Sequence, residues 1–192
     1  MMNFEHTNNL TPKKGDFLIS EPFLPDPNFE RTVIYLCEHN DEGSFGFVLN
    51  RPSELKFDEI IEAVEDFGVT MYIGGPVQHD TLHFIHRASD IIDDGVIIKD
   101  NLCWGGNFEQ LKALINTKQI DEKNFRFFIG YSGWGAGQLQ EELDANSWIV
   151  LPNATENQIF DIPPDQLWRT ILKDMGGRFK MYSNYPSDPR LN

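Results

Sequence analysis

Apolar residues follow two rhythms along the chain. Short runs dense in β-branched and aromatic residues alternate with stretches whose apolar positions recur every three or four. The first rhythm predicts strands over 17–20, 32–38 (TVIYLCE), 45–50 (FGFVLN), 71–73, 81–87, 96–99, 126–131 (RFFIGY) and 147–151 (SWIVL). The polar stretch 39–44 (HNDEGS) joins two of them as a hairpin. The second rhythm predicts four helices. Phe57, Ile60, Ile61, Val64 and Phe67 share one helical face, and Gly68 supplies a stop. Asn107 caps a helix carrying Phe108, Leu111, Leu114 and Ile115. A short helix follows over 138–145. Asp165 caps the last one, with Leu167, Trp168, Ile171, Leu172 and Met175 inward and Gly176-Gly177 ending it. Three prolines make 21–27 an extended loop, and Gly133 to Gly137 reads as a glycine-rich turn. The tail after Phe179 is expected to lie along the body.

Strands and helices interleave without strict alternation, because the early hairpin breaks it. That predicts an α/β (mixed α+β) fold, a mixed β-sheet of short strands with helices packed on it. Residues 1–14 form a polar lead-in. Residues 15–192 are expected to form a single compact domain. No apolar stretch is long enough for a membrane helix, and the lead-in lacks the apolar middle of a secretory signal.

Charge narrows the partners. Sixteen Lys and Arg against thirty Asp and Glu leave a net charge of −14. The basic residues are dispersed, so no stripe forms for a phosphate backbone or an anionic membrane. Cys37 and Cys103 are far apart, inside strand-like stretches, and read as buried free thiols in a reducing cytoplasm, the alternative being a single bridge between them.

The sharpest chemical feature is 130–138 (GYSGWGAGQ), a strand feeding a glycine-rich turn that opens a helix. Such a turn can aim free N–H groups at an anion. It matches no named motif. No Lys-Ser/Thr follows, the glycines are not GxGxxG, and Trp134 stands where an elbow around Ser132 needs glycine. The alternative is a tight turn that packs Trp134 under a helix. His79, His83 and His86 lie in a strand-like segment, which sends His83 and His86 to opposite faces, so no metal site is expected. His39 sits in an acidic turn whose spacing fits no calcium loop. Arg31 and Arg51 flank the hairpin strands, where arginine can clamp a carboxylate: Asp26, Glu142 or a ligand. Glu141 and Glu142 are helix neighbours facing different directions and make no acid–base pair.

Several long segments occur in a recognisable order: GDFLISEP, DPNFERTVIYLCEHNDEGSFGFVLNRP, YIGGPV, FRFFIGYSGWGAGQLQEELDANSWIVLP and LWRTILKDMGG. From about Gly15 to Gly176 the chain closely resembles the YqgE/AlgH family of bacterial proteins. Residues matching that pattern include Asp26, Arg31, His39, Asn50, His86, Tyr131, Trp134, Gln138, Glu142 and Trp148. His79 and His83 fall outside it, and Ser132 is not required by it. The resemblance implies a mixed α/β fold with a smaller α/β subregion inserted near the middle, around residues 78–125. It also carries the label of transcriptional regulator of alginate production, and it brings no catalytic residues.

The expected function is a non-catalytic, cytoplasmic regulatory or interaction module. Its polar groove would be built from Asp26, Arg31, Asn50, Arg51, Tyr131, Trp134, Gln138 and Glu142, and would receive a protein partner or a small anion. No catalytic residue, metal or cofactor is assigned. One alternative is a small-anion or nucleotide binder, or an enzyme, using the N–H groups of 133–138. A second is direct DNA binding, which the family label suggests and the charge opposes.

Overall fold

A strand that is apolar on both faces needs cover on both faces. In the computed structural model, which describes residues 10–186, this need organises the first half of the sheet. Along β1 (Phe17–Ser20) and β2 (Val33–Asn40), Phe17, Ile19, Val33 and Tyr35 face one core, and Leu18, Ile34 and Leu36 face another. All seven are fully buried. The first core is closed by α4 (Glu156–Phe160), α5 (Pro164–Met175) and α6 (Gly177–Tyr182), which supply Ile159, Leu167, Trp168, Ile171, Leu172 and Tyr182. The second is closed by Leu139 and Leu143 of α3 (Gln138–Asp144) and by Leu24 and Phe29 of the proline-rich loop.

The remaining elements are β3 (Gly43–Val48), β4 (Pro52–Lys56), α1 (Phe57–Ile60), β5 (Thr70–Ile73), β6 (Val77–His86), β7 (Val96–Lys99), β8 (Leu102–Trp104), α2 (Phe108–Asn116), β9 (Phe125–Gly135) and β10 (Trp148–Leu151). The sheet has ten strands and runs β10-β1-β2-β3-β9-β6-β8-β7, with β5 also paired to β9 and β4 to β5. The β5–β9 pairing is parallel; the others are antiparallel. The fold is mixed α/β, as the sequence predicts. A third core gathers Phe57, Met71, Phe84 and Phe127 beneath Leu111 and Ile115 of α2. Asn107 caps α2 as expected, accepting from the Gln110 N–H.

Several predicted elements come out differently. The helix expected over 57–67 is a single turn. Ile61 is already extended, Ala63 and Asp66 have positive φ, and the Asp58 carboxylate accepts from the Phe67 N–H at 3.0 Å, closing a loop instead. Phe57, Val64 and Phe67 are nevertheless buried together, so the apolar spacing reports the core and not the conformation. The turn expected over 133–137 is strand as far as Gly135. Asp165 lies in the first turn of α5, behind Pro163 at the cap and Pro164 at the first helical position. Residues 180–182 continue α6, and β4 and α4 are additional elements. Residues 1–9 of the lead-in and 187–192 of the tail lie outside the described residues. Both cysteines are free and buried, and burial pushes both thiols up from their ordinary pKa. No helix among the described residues is long and apolar enough to cross a membrane.

Gly75 holds the turn from β5 into β6 against β9. Its φ is +157°, and a Cβ there would overlap the backbone of Tyr131. Beyond it the β6–β9 register shifts between Val77 and Leu82, so 78–81 bulge from the ladder.

Two buried polar groups make stability predictions. The Tyr35 hydroxyl is enclosed and has no hydrogen-bond partner, and burial raises its pKa. Tyr35→Phe removes an unpaired donor and is expected to raise unfolding free energy by about 1 kcal/mol in urea titration. A loss of stability would mean that the hydroxyl is bonded. His86 is fully buried. Its Nε2 meets the Gly105 carbonyl at 2.9 Å, and its Nδ1 accepts from the Ala88 N–H at 3.2 Å. Both nitrogens are satisfied only in a neutral ring. Burial lowers the pKa from 6.5, partly offset by the Gly105 bond. The unfolded chain therefore takes up the proton first, so stability present at neutral pH is lost as pH falls below about 6.5. His86→Gln is expected to flatten that slope in pH-resolved denaturation.

Candidate functional site

The eight candidate groove residues fall into three groups. The first braces the loop before β2. Asn50 accepts from the Val33 N–H at 2.9 Å and donates to the Arg31 carbonyl at 2.8 Å. Arg51 donates to the carbonyls of Pro27 (2.8 Å) and Glu30 (3.4 Å). Asp26 accepts from the Asn28 N–H at 2.8 Å. Arg31 donates to the Tyr185 carbonyl at 2.7 Å, and its guanidinium lies 5.0 Å from the Trp168 ring centre. Burial, then the charge of Arg169, pulls its pKa down. Neither Asp26 nor Glu142 is its hydrogen-bonding partner.

The second group is centred on Glu142. Its Oε2 accepts from the indole N–H of Trp134 (2.8 Å) and of Trp148 (2.7 Å), and its Oε1 accepts from the Gln138 amide (3.0 Å). Gln138 in turn accepts from the Gly135 N–H at 3.0 Å. The two indoles meet edge to face, their centres 5.9 Å apart. One carboxylate thus ties α3 to β9 and β10 at once. Arg31 points toward α5 on the opposite side of the sheet, so Arg31, Gln138 and Glu142 do not converge on one cleft.

The same geometry engages the first part of the expected anion cradle. Gly133 and Trp134 sit in the ladder opposite Phe45 and Ser44, and the Gly135 N–H already has an acceptor. The α3 stretch is only seven residues long, too short for a strong terminal dipole.

Tyr131 and Trp134 instead line a cleft of about 630 Å³ where β2, β3, β6, β8 and β9 meet. A bulge at Cys37 shifts the β2–β3 register between Leu36 and Glu38, and Glu38 lines the cleft. Phe45, Trp104, His83 and Tyr131 form a closed circuit of rings. Centre separations are 4.8 Å for Phe45–Trp104, 6.2 Å for Trp104–His83, 5.8 Å for His83–Tyr131 and 6.3 Å for Tyr131–Phe45. Burial lowers the His83 pKa, which favours a neutral ring. Glu38 and Glu42 add carboxylates, and Asn40 and Ser44 add polar groups. Lys14 approaches Glu38 at only 4.0 Å.

Ser44 Oγ lies 2.6 Å from His39 Nδ1 across the hairpin. This is the nearest approach to a nucleophile–base pair here, but the triad logic also needs a group orienting the second imidazole nitrogen. No such bond is made among the described residues. His79, His83 and His86 bond separately to Gly75, Thr81 and Gly105.

Sequence reading reaches Tyr131 and Trp134 but misses Glu38, Glu42, Phe45, His83 and Trp104. These come from four strands and the β2–β3 turn, and no spacing along the chain links them. Aromatic residues on hairpin positions that are only half-buried carry the usable signal.

Removing the carboxylate in Glu142→Ala leaves two largely enclosed indole donors unpaired. The expected cost is about 2–4 kcal/mol in chemical denaturation, with Glu142→Gln intermediate. A cost near zero would show that water replaces the carboxylate.

A family profile described as DUF179, AlgH-like, matches residues 17–180. A UPF0301 protein of Cytophaga hutchinsonii is 48% identical over 180 residues, covering 93% of this chain and 98% of that protein. A UPF0301 protein of Chlorobium limicola is 44% identical over 180 residues, covering 94% and 96%. The solution structure of the AlgH protein from Pseudomonas aeruginosa superposes with a TM-score of 0.71 at 32% identity, covering 92% of this chain and 97% of that one. A crystal structure of a Corynebacterium diphtheriae protein shares the fold, with a TM-score of 0.71 at 22% identity. With its order of segments matched across nearly the whole chain, the protein belongs to the AlgH-like family.

Proposed function

We propose that this AlgH-like protein is a non-catalytic interaction module that captures a basic side chain of a protein partner in the aromatic cleft. The circuit of Phe45, Trp104, His83 and Tyr131, with Glu38 and Glu42 beside it, carries this reading. Ring faces attract a cation through their quadrupole, most strongly where water is partly excluded. Nearby carboxylates add Coulomb attraction, and a neutral His83 adds no opposing charge. The overall charge of −14 steers basic partners toward the surface and slows approach of anions. The same charge argues against direct DNA binding.

Titration with tetramethylammonium chloride and with a lysine-rich peptide, against matched sodium chloride, tests this through intrinsic tryptophan fluorescence. Saturable change is expected, because Trp104 and Trp134 line the cleft. The variant carrying Glu38→Gln and Glu42→Gln should bind the peptide about tenfold more weakly, ~1.4 kcal/mol. Lower pH should weaken binding as His83 gains its proton. A wild-type response no larger than that of sodium chloride refutes the reading.

A further inference from the structure

Arg126 is a cation buried away from the cleft. It lies on β9, 6% exposed, beneath α4. Its guanidinium makes one hydrogen bond, to the Leu49 carbonyl at 2.9 Å, and rests 4.6 Å from the centre of the Tyr72 ring. No carboxylate among the described residues reaches ion-pair distance of it. Burial lowers its pKa; charges on Tyr72 and Asp161 offset this only in part. Holding a charge in a protein interior is costly unless it is paired. One carbonyl and one ring face are modest compensation for a group with five N–H donors.

The guanidinium opens onto a pocket of about 320 Å³. Its walls include Thr70, Tyr72, Lys123 and Phe160. Lys56 lies outside the lining, but its Nζ bonds the hydroxyl of the wall residue Thr70 at 2.7 Å, which sets a third cation beside the pocket. Three cations therefore gather in a chain whose net charge is −14. The opposing wall group is Glu122, which is exposed and can turn outward. The neighbouring cation is already matched: Arg87 pairs with Glu156 at 3.1 Å and lies over the Phe160 ring.

We infer that this pocket is a binding site for a compact oxyanion, held by the Arg126 fork with Lys123 and Lys56 at its mouth. Arginine presents planar, paired donors that match a carboxylate or a phosphate. The π contact with Tyr72 fixes the plane of the fork, so little freedom is lost on binding. Phe160 supplies an apolar wall that limits access of water to the pair. The site is independent of the aromatic cleft and takes charge of the opposite sign.

Nitrogen-resolved NMR of the full chain tests the assignment, with inorganic phosphate and acetate as separate probes against chloride at fixed ionic strength. Saturable shifts are expected for the Arg126 Nε–H and for the amides of Thr70 and Tyr72. Saturation by either probe supports the site, and the pair of curves tells which oxyanion it prefers. Lys123→Ala and Lys56→Ala should keep the fold and weaken binding. Arg126→Met should abolish it; if that variant fails to fold, the two lysine variants and the Arg126 Nε–H shift carry the test. Shifts that rise linearly without saturation, or that spread evenly over surface lysines, overturn the inference. So does saturation unaffected by both lysine variants and absent from the Arg126 Nε–H.

Discussion

Strand β9 has to satisfy partners on several sides at once, and the rest of the molecule is arranged around that demand. Its first half pairs with β5 and β6, and its last residues pair with β3. The two halves of the sheet are therefore joined through one backbone. Phe127 faces the core under α2, while Phe128 stacks on Phe47 in the core under the C-terminal helices, their ring centres 4.6 Å apart. Trp134, near the strand's end, belongs to the second core, closed by α3. One strand thus contributes to every apolar cluster. Gly75, pressed against the Tyr131 backbone, shows how little room its neighbours have. Few substitutions along such a strand can remain local.

That arrangement explains why the most conspicuous polar residues are spent on architecture. Glu142 accepts three hydrogen bonds from three side chains. Asn50 bonds two backbone groups that would otherwise end β2 without partners. Arg31 and Arg51 hold carbonyls on the loop and on the segment after α6. Groups so fully used have little left to offer a ligand, since a new contact must first break an existing one. The aromatic cleft differs. Its rings are only partly covered, Glu42 is exposed, and Glu38 is half-buried with one oxygen bonded to the His39 N–H, so a partner there displaces mostly water.

Charge is distributed with the same economy. The chain is strongly acidic, yet its buried ionisable groups include an arginine with no carboxylate partner. Acidic groups and rings share the cleft at the β2–β3 end; cations gather between β5, β9 and α4. The two regions therefore favour ligands of opposite charge, and neither depends on the other's residues.

Much of the fold is legible in the sequence. Runs such as TVIYLCE and SWIVL are short, rich in β-branched and aromatic residues and apolar without alternation, which fits a strand covered on both faces, and Asn107 marks its helix by a local bond. The family relationship is legible too, because it rests on the order of long segments. Conformation over 57–67 is not: the same apolar spacing serves a helix or a loop, and the Asp58 bond to Phe67 decides it. The cleft is not legible either. Phe45, His83, Trp104 and Tyr131 come from four strands, brought together by a register that the β2 bulge and the Gly75 turn set. Local pattern determines which stretches must be buried, because burial depends on each residue's own chemistry. Which side chains become neighbours is a property of strand pairing, and only the tertiary structure decides that.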